Sequence, residues 1–191
     1  MTQSKTPPPA SPTPSTPSTP QASPAPSSPD AVDAVDAIAA QWAEVRPDLE
    51  TEPMAVYGRI YRIARAMGDR MEKEYARFGI GRGEFDVIAT LRRSGEPYTL
   101  SPRQLSATLM LTTGGMTGRL DKLEKAGLLL RSPDPNDRRG LRVSLTERGL
   151  RLVDESVTAG LAVQTEVLSA ALDASESAQL SALLRKLLAA H

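Results

Sequence analysis

The sequence contains no cysteine, and its single histidine is His191. Those two facts exclude thiol redox sensing, thiol nucleophiles, Cys/His metal sites and any Ser-His triad, so neither a metal nor a cofactor is expected. Aromatic residues are scarce, and all seven lie between Trp42 and Tyr98. The core on that side is expected to be aromatic, with Leu, Val and Met packing the remainder. No run approaches the roughly 18 apolar residues of a membrane span, and the N-terminus lacks the apolar centre of a signal peptide. The expected location is cytoplasmic, with no membrane partner. Net charge is absent too, with 23 Lys and Arg against 23 Asp and Glu. A nucleic-acid binder of this composition must gather its positive charge locally.

What is abundant is proline, concentrated at one end. Ten of the 16 prolines fall between Met1 and Pro29, interleaved with Ser, Thr and Ala. Such a stretch has no apolar surface to offset ordering entropy, so residues 1–29 are read as a disordered tail. From Asp30 the chain has length enough for one helical domain with a real core. Asp30 suits an N-cap, and Val32, Val35, Ile38, Trp42 and Val45 recur at helical spacing until Arg46-Pro47. A longer helix opens near Pro53, with a stripe of Val56, Ile60, Ile63, Met67, Met71, Tyr75 and Phe78, and closes at Gly79. A third runs from about Gly83 to Ser94, with Phe85, Ile88 and Leu91 inward.

Ser101-Pro102 opens a short helix containing Leu105 and Leu109, and Thr112 caps another whose stripe is Met116, Leu120 and Leu123. Gly127 stands where a left-handed cap is expected. Two short helices about a tight turn make a helix-turn-helix candidate. Leu128 to Arg131 and Leu141 to Leu145 then read as strands, joined by a long basic tip from Ser132 to Gly140. Thr146 opens a long helix, and a last one from about Ser175 carries Leu180, Leu183, Leu184, Leu187 and Leu188. So much leucine with so little chain left to cover it points to a subunit interface.

Charge is not evenly spread. Between Ser101 and Arg148 nine Lys and Arg face five Asp and Glu. The surplus falls where a duplex would lie, although a solvated basic face has the same composition. At about 100° per residue, turning Met116, Leu120 and Leu123 inward turns Gly114, Gly118, Asp121, Lys122 and Lys125 outward. The two glycines let backbone approach a groove or phosphate, or are simply tolerated in a marginal helix. Arg119 falls on the margin of the buried stripe, placed to serve something inside the protein.

The order of these elements resembles the MarR family of bacterial winged-helix regulators, from about Met54 onward. Leu105-Ser106 through Thr117, Arg119 through Glu124 with Gly127-Leu128, and Asp134 through Arg139 with Val143 to Glu147 carry the resemblance. It implies a mainly α fold: a winged helix-turn-helix with a two-stranded wing (DNA-binding core 84–148) and long dimerisation helices at 53–78 and 147–190. It also implies a homodimer on double-stranded DNA with a pseudo-palindromic operator. Each protomer would present Thr112, Thr113, Gly114, Thr117, Gly118 and Lys122 to the major groove. Arg138 and Arg139, with Arg142 behind them, would serve the wing, an arginine entering the minor groove. The extra N-terminal helix with Trp42, together with Asp86 and Arg119, is similar to the urate-responsive branch. There, residues at such positions help form the site for a small anionic aromatic effector such as urate or a phenolic acid. Trp42 also suits core packing, and Asp86 a solvated helix acid.

The function expected is therefore a sequence-specific transcriptional regulator, a repressor whose DNA affinity falls when the ligand binds. An enzyme is not expected, because Gly79 to Gly83 is too short and badly placed for a dinucleotide or P-loop pattern. The alternative is a dimeric protein-interaction module that has lost DNA binding, against which Arg138 and Arg139 speak.

Overall fold

In the computed structural model, residues 32–135 and 137–190 are described. The proline-rich segment, Asp30, and the side chains of Thr113, Arg138 and Arg139 lie outside the described part. Seven helices and three strands follow in order: α1 (Ala34–Val45), α2 (Glu52–Ala76), α3 (Arg82–Arg93), β1 (Thr99–Leu100), α4 (Pro102–Leu109), α5 (Thr113–Lys125), β2 (Leu129–Asp134), β3 (Asp137–Leu145), α6 (Glu147–Ala171) and α7 (Ala174–Leu188).

The first helix starts later than its sequence suggests. Asp33 is the N-cap, and the cap expected at Asp30 lies outside the described residues: Oδ1 of Asp33 accepts from the amides of Val35 at 2.6 Å and Asp36 at 3.0 Å, and the Asp36 carboxylate accepts in turn from the Asp33 amide. The choice is made from outside the helix. Arg59 of α2 donates to Asp33 at 2.8 Å and to Asp36 at 2.6 Å, binding the cap to the neighbouring helix and holding both carboxyls below their ordinary range. Val35 is the one buried residue of α1, and it packs over Gly58, where a Cβ would stand 3.2 Å from Cγ1 of the valine. Trp42 is left 41% exposed.

Only the C-terminal half of the α2 stripe reaches the core. Met71 and Tyr75 are buried, whereas Val56 is 41% and Ile63 65% exposed within the single chain. Helix α3 is the hub, with Val87, Ile88 and Leu91 at 0% exposure. Around it close Leu105 of α4, Met116, Leu120 and Leu123 of α5, Val143 of β3 and Val153 of α6. Each such side chain contributes about 1.5–3 kcal/mol of burial free energy. Helix α7 has no buried residue.

The sheet is antiparallel with order β1-β3-β2, one strand more than the expected two-stranded wing. Strand β1 is a two-residue edge, Thr99 opposite Ser144 and Leu100 opposite Val143. The wing strands are also longer than expected. Ser132 pairs with Arg142 and Pro133 with Leu141, and the hairpin closes at Asp134 opposite Asp137. Ser132, Pro133, Asp134 and Asp137 of the segment expected as a loose basic tip are therefore paired, with a break in register between Pro133 and Asp134.

Candidate nucleic-acid interface

The helix-turn-helix is built by local rules. Ser101 caps α4 in a box with Gln104, and Pro102 occupies the first turn. Thr112 caps α5, its Oγ1 accepting from the Gly115 amide at 3.3 Å. Met116, Leu120 and Leu123 are 1–2% exposed, and the opposite face presents Gly114, Thr117, Gly118, Lys122 and Lys125 to solvent. A Cβ built on Gly114 or Gly118 meets nothing within 4 Å. The fold does not require glycine at either place, so their effect is to keep that face of α5 low and open.

Two cations that the sequence assigns to DNA, Lys122 and Arg142, have internal partners, and so does Arg131 beside them. Lys122 Nζ lies 3.2 Å from Glu84 Oε1 on the first turn of α3, with the lysine side chain 68% exposed and the glutamate 13%. Burial raises the Glu84 carboxyl, but hydrogen bonds from Lys122 and from the Gly81 amide outweigh it and hold the group below its ordinary value. Arg142 pairs with Asp134 across the wing at 3.2 Å. Arg131 of β2 joins both Asp121, at 2.6 Å, and Glu124, tying the C-terminal half of α5 to the wing. Exposed pairs of this kind are worth about 0–1 kcal/mol, so a phosphate can replace the carboxylate at small expense. Arg103 and Lys125 are exposed and make no salt bridge among the described residues. The backbones of Arg138 and Arg139 run in β3, and their side chains are outside the described part. Glu84 and Arg131 were not singled out from the sequence. Their partners stand on other elements, and no spacing in the chain announces them.

Arg119 lies at the buried margin of α5, as its helical phase requires. Its partner is backbone: Nη1 donates to the Gly83 carbonyl at 3.3 Å. Asp86, one turn further along α3, makes no salt bridge with it, though Arg82, Arg119 and Arg93 all act on its charge. Burial nevertheless pushes the Asp86 carboxyl above its ordinary range. Asp86, Arg82 and Phe85 line a cavity of about 340 Å³ with Met67, Met71 and Gln164. Phe85 stacks on Tyr75 at 3.9 Å, and that pair separates this cavity from another of about 440 Å³ against α6. Trp42 lines a shallow depression with Gln41 and Val45 and is not among the residues lining the cavity beside Asp86.

Comparison with known proteins agrees with this geometry. A profile described as MarR family matches residues 78–140. The chain is 39% identical over 129 residues to the HTH-type transcriptional regulator PecS of Dickeya dadantii, covering 68% of this chain and 78% of that one. It is 32% identical over 133 residues to the multiple antibiotic resistance protein MarR of Escherichia coli, covering 69% and 90%. A crystal structure of a mutant MarR from E. coli complexed with operator DNA superposes with a TM-score of 0.62 at 26% identity, over 77% of this chain and 97% of that one. PecS is named as a transcriptional regulator, and neither relative is named as an enzyme. Among the described residues no helix is long and apolar enough to cross a membrane. With a helix-turn-helix, a paired wing and an open face on α5, this chain belongs to the MarR family of DNA-binding transcriptional regulators.

Proposed function

We propose that the protein is a homodimeric repressor of a pseudo-palindromic operator, and that a small anionic aromatic molecule bound beside Asp86 lowers its DNA affinity. The observation that carries the reading is the position of Arg119. It belongs to α5, yet it rests on Gly83 in the first turn of α3, the turn that supplies Arg82 and Phe85 to the cavity, with Asp86 directly after them. A ligand that moves this turn moves the seat of the DNA-reading helix. An aromatic face suits the Tyr75–Phe85 stack, and an anion suits Arg82. Urate and phenolic acids are the compounds to try first. Trp42 enters this reading only if α1 of either protomer approaches the cavity.

Dimerisation is supported by the unpaired apolar surface: Tyr61 and Ile63 at 65%, Leu161 at 57% and Leu183 at 58% exposure. A two-fold protein of this fold reads half-sites about 34–36 Å apart. The test is a gel shift on the promoter beside its own gene, with light scattering on the same sample and with urate or salicylate titrated in. A shifted band from a dimer, released by one of the acids, is the expected result. A monomer by scattering defeats the first half of the proposal; a shift unmoved by any aromatic acid at millimolar concentration defeats the second.

A further inference from the structure

Four helices of this chain are followed by a residue in the left-handed region: Gly79 (φ 73°) after α2, Gly95 (φ 79°) after α3, Gly127 (φ 68°) after α5 and Met110 (φ 51°) after α4. Three of these ends share one pattern. The left-handed residue donates back three positions and its successor donates back five, as Ile80 to Tyr75, Leu128 to Leu123 and Leu111 to Ser106, and the successor turns into the core. Two of the three have glycine at the left-handed place, the residue that takes this conformation without a Cβ penalty. The third has methionine.

Packing does not explain the choice. Met110 is 92% exposed, the highest value of any large hydrophobic among the described residues. Tyr98, the other non-glycine residue with positive φ (55°), at least sets its ring beneath Arg92, 5.1 Å away. In the single chain Met110 is strained at the backbone and unburied at the side chain. Such a residue is kept for what its side chain meets elsewhere. It stands two residues before the Thr112 cap of α5, beside the open face of Gly114 and Gly118. In a docked helix-turn-helix the N-terminal end of the second helix is the end that meets base edges.

We propose that Met110 is a DNA contact: its unbranched, polarizable thioether lies against apolar groups of the groove wall, a thymine methyl or a deoxyribose, next to the bases read by the first turn of α5. The inference rests on the DNA-reading role of α5. It assigns to the turn before that helix an apolar DNA contact that charge patterning does not reveal.

The test compares wild type, Met110→Gly and Met110→Leu on a duplex that wild-type protein enriches from a randomised library. Met110→Gly is expected to melt about 2–4 °C higher, because the left-handed strain is removed, yet to bind about four- to fifteenfold more weakly, as for one or two methylene groups left in water. Met110→Leu is expected to keep its affinity. Replacing thymine by uracil across the site separates the two sources: a loss by wild type to which Met110→Gly is indifferent marks the methyl, and no loss by either marks the sugar. Equal affinity of wild type and Met110→Gly overturns the assignment to Met110 and leaves the DNA-reading role of α5 standing. So does an effect of Met110→Gly confined to dimerisation. Failure of wild type to enrich any sequence overturns both.

Discussion

Arg119 lies across the backbone of Gly83, with its guanidinium 3.3 Å from the glycine carbonyl and no room for a side chain between them. A Cβ on residue 83 would stand 2.7 Å from Arg119 Cζ. Gly83→Ala should therefore push the flexible end of Arg119 off α3, at a cost that the roughly 1 kcal/mol advantage of alanine over glycine within a helix largely offsets. In a double-mutant cycle with Arg119→Ala the two changes should fail to add, because shortening the arginine makes room for the methyl. Thermal or urea denaturation of the four proteins checks this. Additivity within about 0.5 kcal/mol would show that residues 83 and 119 do not touch.

In the proposed DNA complex Lys122 changes partner: its ammonium, held 3.2 Å from Glu84 in the free protein, turns to the duplex. Glu84→Gln keeps an acceptor for the Gly81 amide while removing the charge that competes with the duplex. DNA affinity should rise, by up to about fivefold for an exposed pair, and the gain should shrink as salt is raised. Fluorescence anisotropy at two salt concentrations measures both. Weaker binding by Glu84→Gln would mean that the glutamate aims Lys122 at the DNA rather than restraining it.

The helices and the open face of α5 were legible because both follow from one periodicity. Burying Met116, Leu120 and Leu123 dictates where Gly114, Gly118 and Lys122 go, and puts Arg119 at the margin. What lay beyond reading were the choices made between distant elements. Asp30 and Asp33 stand in the same repeated Asp-Ala-Val pattern. The cap falls at Asp33, where Arg59, twenty-six residues on, binds it. Strand β1 is too short to show alternation, and its existence depends on Ser144 and Val143 across the sheet. The wing strands run further than their sequence predicts because Pro133 and Gly140 look like turn residues, although Pro133 pairs with Leu141 and Gly140 stands within β3. Glu84 is thirty-eight residues from Lys122, and neither residue hints at the other.

The wing supplies a prediction of slope rather than of affinity alone. Each phosphate neutralised contributes about 0.9 to the log–log salt dependence of DNA binding on B-form duplex. Arg138→Ala with Arg139→Ala should weaken binding to every sequence and flatten that slope by about one to two. Arg142→Ala should flatten the slope by less than one, since Arg142 must give up Asp134 within the wing to meet a phosphate. A wild-type slope in the Arg138/Arg139 double variant would remove the wing from the interface.

Asp86 makes the effector proposal sensitive to pH. Burial raises its carboxyl, against the opposing pull of Arg82, Arg119 and Arg93; of the other titratable groups lining the cavity, Tyr75 is itself pushed up by burial and by Asp86. For a carboxyl raised in the folded state, the ionised form is the disfavoured one. The protein is thus favoured while Asp86 is protonated and loses that advantage as pH rises through the folded-state pKa. Asp86→Asn should consequently melt higher than wild type at neutral pH, and the difference should close as pH falls toward about 4, where an unfolded aspartate also protonates. An anion entering the cavity raises the carboxyl further, so binding takes up a proton. Affinity for an aromatic acid that is itself ionised throughout should therefore increase as pH falls through this window, by at most about tenfold per unit, and Asp86→Asn should abolish the dependence. Calorimetry in two buffers of different ionisation enthalpy counts the proton directly. A binding enthalpy independent of the buffer, in a wild-type protein that does bind the acid, would place the anion away from Asp86 and in some other part of the molecule.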